Sequence, residues 1–204
     1  MLARFPSVSR VLPGLALLLN AGLLGLAPRS ASAQSAQKYA FQLAALSTTI
    51  VVGGSSVTTN GFGIEPQLRF NRLYATEQFA VSLGLGAQYT AHSAGPDELS
   101  LSGVFLEPRF VPVIGSTRIF PYLSGRVALM RQSSNFGSAS NGSAFGAGAG
   151  LVVRLSSRVN LDGGAQLLRQ QFGDFTFRDD GSVGGFNPFT SYAAKVGLNV
   201  GFPR

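Results

Sequence analysis

Between Tyr192 and Phe202, hydrophobic residues alternate without a break with small or polar ones. Tyr192, Ala194, Val196, Leu198, Val200 and Phe202 share one face; Ala193, Lys195, Gly197, Asn199 and Gly201 share the other. Alternation with a period of two reads as a β-strand with one oily and one wet face. Seven earlier segments carry the same signature: Gln37–Leu46, Gly61–Arg72, Gln78–Ala91, Leu99–Pro112, Arg118–Arg131, Ser143–Leu155 and Arg158–Phe172. In the third, Phe79, Val81, Leu83, Leu85, Ala87 and Tyr89 oppose Ser82, Gly84, Gly86, Gln88 and Thr90. In the sixth, Phe145, Ala147, Ala149, Leu151 and Val153 oppose Gly146, Gly148 and Gly150. Each segment is near the about 9–11 residues that a tilted strand needs to cross a bilayer.

The connections alternate in length. Ser47–Asn60, His92–Glu98, Gln132–Gly142 and Gly173–Thr190 are long and rich in Gly, Ser, Thr, Asn and Asp, as exposed loops are. Leu73–Glu77, Val113–Thr117 and Ser156–Ser157 are short. Turns at one rim and loops at the other is the asymmetry of a membrane barrel, and an even strand count returns both ends of the chain to the turn rim. The segment after residue 33 has no apolar stretch long enough for a membrane helix, so a chain that spans a membrane must do so as a closed barrel.

Residues 1–33 read as an export signal. Arg4 and Arg10 form a basic start, Leu12–Ala27 an apolar stretch, and Ala31-Ser32-Ala33 a small-residue cleavage site, so the mature chain is expected to begin at Gln34. Residues 34–204 then form one barrel domain. Losing Arg4, Arg10 and Arg29 lowers the formal charge from +7 to +4, because all 9 acidic residues stay. The remaining basic residues are dispersed, which argues against nucleic-acid binding. The absence of Cys excludes disulfides, thiolate metal sites and a lipid-modified N-terminal cysteine.

The end of the chain resembles the β-signal of outer-membrane proteins in Lys195-x-Gly197-x-x-Val200-x-Phe202, although Pro203 and Arg204 follow the terminal aromatic. Strand number, loop asymmetry and this ending together resemble the small eight-stranded outer-membrane barrels, the superfamily of the OmpA transmembrane domain and the opacity-type proteins. The resemblance implies an all-β, eight-stranded antiparallel up-and-down barrel in the outer membrane, with short periplasmic turns and longer extracellular loops. It also implies lipid contact and recognition of Lys195, Gly197, Val200 and Phe202 by the barrel-assembly machinery. Trp is absent, so the interfacial girdle must come from the 16 Phe and 5 Tyr.

The inward faces carry the candidate chemistry. Glu65, Glu107, Arg126 and Lys195 are expected near mid-height, with Arg69, Arg109, Arg154 and Asp162 nearer the periplasmic rim. An eight-stranded barrel is just wide enough to be filled by side chains. Charges there must pair, so Glu65, Arg69, Glu107, Arg109, Arg126, Asp162 and Lys195 read as a salt-bridged plug rather than the lining of a gated pore. A soluble lipocalin-like barrel would put these charges outside and is disfavoured.

His92, the one histidine, falls in an expected polar loop beside Ser93, Asp97 and Glu98. Some barrels of this class are outer-leaflet lipid enzymes that use His and Ser, but the His-x-Ser spacing of the deacylases is missing, since position 94 is Ala94. Asp174, Asp179 and Asp180 lack the spacing of a calcium loop. Phe172, Phe175, Phe177, Phe186 and Phe189 are expected at the rim. Pro66 and Pro108, in the related stretches Ile64–Phe70 and Leu106–Phe110, suggest bulges. The reading is a non-enzymatic structural or surface-interaction protein, with no catalytic residues, cofactor or metal; the alternatives are a narrow channel and, third, a lipid A-modifying enzyme. The extracellular partner is not legible.

Overall fold

The computed structural model describes residues 37–52, 58–94, 96–114, 116, 118–185 and 187–202. The export signal, its cleavage before Gln34, and Phe186, Pro203 and Arg204 lie outside the described residues. The strands are β1 (Tyr39–Val52), β2 (Thr58–Ala75), β3 (Phe79–Ala94), β4 (Asp97–Pro112), β5 (Ile119–Ser134), β6 (Ser140–Arg154), β7 (Val159–Phe172), β8 (Asp174–Thr176), β9 (Val183–Gly185) and β10 (Phe189–Gly201). Eight of them close a barrel in the order β1-β10-β7-β6-β5-β4-β3-β2, and β8 and β9 form a separate small hairpin. Each barrel pair is antiparallel, and the seam closes from Ala40↔Gly201 to Val52↔Phe189. Closure satisfies the backbone of every barrel strand, leaving no edge to protect.

The alternation sorts the two faces. Leu43, Ile64, Leu68, Leu85, Val104, Leu123, Val127, Phe145, Val196 and Leu198 point outward and are exposed. Glu65, Glu107, Asp162, Arg69, Arg109, Arg126 and Lys195 point inward and are buried. A greasy outside around a charged inside is the inverse of a soluble protein and the arrangement lipid demands. Aromatic rings gather on the outer face near the turn rim, where Tyr39 packs on Phe70 at 5.6 Å, Tyr74 on Phe79 at 5.8 Å and Phe79 on Phe110 at 5.0 Å. In this Trp-free chain Phe and Tyr make that girdle.

The strands run further toward the loop rim than their composition suggests. Ser47–Val52 and Thr58–Asn60 belong to β1 and β2, the expected second loop shrinks to residues 95–96, and Gln132–Ser134 and Ser140–Gly142 are strand. The long connection that remains is residues 173–188, which contains β8 and β9. Beyond the lipid belt an outer face is free to be polar, so Ser, Thr and Asn no longer distinguish strand from loop.

The prolines do not mark bulges. Ile64↔Tyr89 and Gln67↔Gly86 flank Pro66 in one unbroken register, as Leu106↔Val127 and Arg109↔Ser124 flank Pro108. The ladder skips locally where a proline has no N–H to donate. The register shift in β2 instead lies between Phe70 and Tyr74.

Candidate functional site: the charged lumen

Seven inward charges from β2, β4, β5, β7 and β10 meet in one layer. Glu107 is the hub. Its Oε1 accepts from Arg69 Nη2 at 2.9 Å, Arg109 Nε at 2.8 Å and Lys195 Nζ at 3.2 Å. Its Oε2 accepts from Arg126 Nε at 3.1 Å, Lys195 Nζ at 3.0 Å and Gln166 Nε2 at 2.8 Å, and also from Arg126 Nη2. Glu65 takes Arg126 Nη1 at 2.7 Å and Lys195 Nζ at 3.2 Å. Asp162 accepts Tyr122 Oη at 2.9 Å and pairs with Arg109 Nη1.

Neutral side chains complete the layer. Gln67 and Ser82 accept from Arg69 at 2.8 and 3.3 Å, and Gln88 accepts from Arg126 at 3.0 Å. Arg109 lies 3.9 Å over the Tyr122 ring and Arg126 3.8 Å over Phe105. Isolated buried charges would be costly; here each carboxylate has at least two donors, and four cations face three carboxylates. Arg154, expected in the same region, stands apart and half-buried, 5.2 Å from Phe120.

Room for this layer comes from glycine. A Cβ on either Gly150 or Gly164 would stand 2.5 Å from Tyr122 Oη, so the smooth inner walls of β6 and β7 let the Tyr122 ring reach Asp162. Tyr122 and the glutamines were visible in the sequence as inward positions, but nothing in their type singled them out.

A second, apolar layer sits on the loop side of the charges. Ile50, Leu101, Phe105, Ala128, Met130, Ala144, Phe172 and Phe189 form one buried cluster. Phe172 and Phe189 stack at 5.7 Å. The sequence places both at the rim; Phe172, the last residue of β7, and Phe189, with which β10 already begins, instead fall on the inward face. A cavity of about 50 Å³ lies between the charge layer and the turn rim, and one of about 10 Å³ lies beside the apolar layer.

Neisserial surface protein A, from Neisseria, matches at 18% identity with a TM-score of 0.60, over 81% of this chain and 97% of that one. The attachment invasion locus protein of Yersinia pestis matches at 11% identity with a TM-score of 0.49, over 81% and 99%. The shared property is the fold. No protein-family model matches the sequence. No curated protein matches it either. The chain shares the fold of the first of these neighbours, a closed barrel, and its own outward apolar belt is the surface of a membrane-spanning one.

His92 is not a loop residue. It lies in β3, points inward and is buried, within 3.3 Å of Thr48 Oγ1 and 3.2 Å of Thr90 Oγ1. Ser93, its neighbour in sequence, is exposed on the opposite face, so the two are not a nucleophile and its base. Strand alternation separates any adjacent pair in this way.

The loop rim is tied together. Asn135 accepts from Glu98 N at 3.1 Å and donates to Pro96 O at 2.9 Å. Gly137 bridges to Phe177, and Ser138 N donates to Thr176 O at 2.8 Å. Phe175 is buried between Phe136 at 6.1 Å and Phe177 at 4.7 Å. At the hairpin tip Gly181 adopts φ +69°. There Asp180 accepts Ser182 N at 2.9 Å and Ser182 Oγ at 2.7 Å, which holds its carboxyl below the usual range. Among the described residues no three metal-ligating side chains come together, and Asp180 serves the turn.

Proposed function

We propose that the chain is a non-enzymatic outer-membrane protein whose lumen is a solid strut and whose working surface is its ordered loop rim. The observation that carries this reading is the double filling of the lumen, by the Glu107-centred charge layer and by the Phe105 cluster above it. The two layers occupy the lumen, and the cavities beside them measure about 50 and 10 Å³. A pore needs a continuous water path, and a barrel of this size supplies one only if its side chains withdraw.

The rim, by contrast, has the order that a recognition surface needs. The hairpin displays Val183, 71% exposed, beside Phe177, Arg178, Asp179 and Asp180, and hydrogen bonds between connections hold it in place. Preorganisation of this kind lowers the entropy cost of binding. In this reading lipid surrounds the belt, and the assembly machinery reads the last strand, where Val200 and Phe202 face outward while Lys195 and Gly197 face inward.

Planar-bilayer recording of the purified, folded barrel tests the reading. Baseline current without steady steps is expected. A large, stable conductance would replace the strut with the narrow channel.

A further inference from the structure

The charge layer is not electrically neutral, and one of its cations is incompletely used. Four cations face three carboxylates. Arg109 gives Nε to Glu107 and Nη1 to Asp162, but its buried Nη2 has no partner among the described residues. Arg69, beside it, is fully engaged through all three nitrogens. Both arginines line the cavity of about 50 Å³ on the turn side, together with Ser82, Tyr122, Asn160 and Asn199. Asn199 brings an amide whose oxygen is unpaired; turned over, it offers N–H groups instead.

The surroundings favour negative charge. Lys38, Arg72, Arg118, Arg154 and Arg158 stand around the turn rim, against Glu77 there. The acidic residues Asp97, Glu98, Asp174, Asp179 and Asp180 are at the opposite rim. A recess at a rim where basic residues outnumber acidic ones concentrates anions. A water needs about 10–15 Å³ on this measure of cavity size, so a chloride-sized ion fits with a few waters, whereas a bulky organic anion does not.

We propose that this cavity binds a small monovalent inorganic anion of the chloride class, held by Arg109 Nη2 and by an amide N–H of Asn199. The anion balances the excess cation of the layer and satisfies a donor that the protein leaves unpaired. The repulsion from nearby Asp162 is offset by the layer's four cations, which exceed its three carboxylates by one.

Bromide is the probe. In crystals of the wild-type barrel grown with bromide in place of chloride, anomalous scattering is expected to show one ion within hydrogen-bonding reach of Arg109 Nη2. In detergent solution, bromide NMR line broadening is expected to saturate at millimolar concentration. Asn199→Leu fills the cavity without touching a charge and is expected to remove the peak and weaken binding at least tenfold. Val152→Phe, from β6, repeats the test if Asn199→Leu fails to fold. Water alone at Nη2, broadening that never saturates, or undiminished binding in the filled variants would each overturn the proposal.

Discussion

Glu107 and Arg126 face each other on adjacent strands and meet through one carboxylate oxygen: Arg126 Nε donates to Glu107 Oε2 at 3.1 Å, and Nη2 donates to the same atom. The pairs Leu106↔Val127 and Arg109↔Ser124 bracket them in register, so the cross-strand pairing itself brings the charges together.

Truncating Glu107 removes the hub of the layer. Glu107→Ala takes the sole carboxylate partner from Arg69 and leaves Arg109, Arg126 and Lys195 with only Asp162 or Glu65, and is expected to cost about 3–5 kcal/mol. Arg126→Ala together with Glu107→Ala is expected to cost less than the sum of the two singles. Denaturant unfolding of the barrel in lipid vesicles measures both. Strict additivity would show that the two residues act independently.

The two faces are expected to respond oppositely to charge. Leu83→Arg or Val127→Arg places a cation against lipid and should cost about 2–4 kcal/mol near the bilayer midplane. Ser82→Asn and Ser124→Asn stay within the polar interior and should be milder. The same unfolding measurement ranks the four; the reverse order would turn the barrel inside out.

Conductance should require two openings. Glu107→Ala loosens the charge layer but leaves Phe105, Leu101 and Met130 in place above it. Little current is expected from Glu107→Ala alone or from Phe105→Ala alone, and intermittent steps from the two combined. Full conductance in either single variant would mean that only one layer seals the lumen.

The last strand is expected to govern surface level. Phe202 N donates to Tyr39 O at 3.0 Å, and Val200 pairs with Phe41, so the end of the chain completes the seam. Phe202→Ala, or deletion of residues 200–204, should lower the amount recovered in the outer membrane by fractionation and immunoblot. Unchanged levels of both would make the likeness to an assembly signal accidental.

Much of this molecule can be read from side-chain alternation, because a barrel strand forces every second residue to one face. That rule alone places Glu65, Arg126 and Lys195 inside and Leu83 and Val127 outside. It does not reveal where a strand stops. Ser47–Val52 looks like loop by composition, yet each of its residues pairs with β10. The same boundary error moved His92 into a loop, when continued alternation would have turned it inward. Alternation puts Phe105 on the same face as Glu107 and Arg109, whereas hydrophobicity alone, which has two destinations here, would send it to lipid. The small hairpin of β8 and β9 depends on contacts with Phe136 and Ser138 across another connection, which local sequence does not encode.

Lys195, on the final strand, holds Glu65, on the second, across a separation of 130 residues. The contact forms only where the last strand closes against the first, through β10, β1 and β2. Until β10 meets β1, Glu65 and Lys195 lack each other, and a half-inserted sheet would have to carry charges toward hydrocarbon. The sheet buries all seven of its inward charges only as a finished cylinder, so the seam between the first and last strands is also where the charge layer is completed.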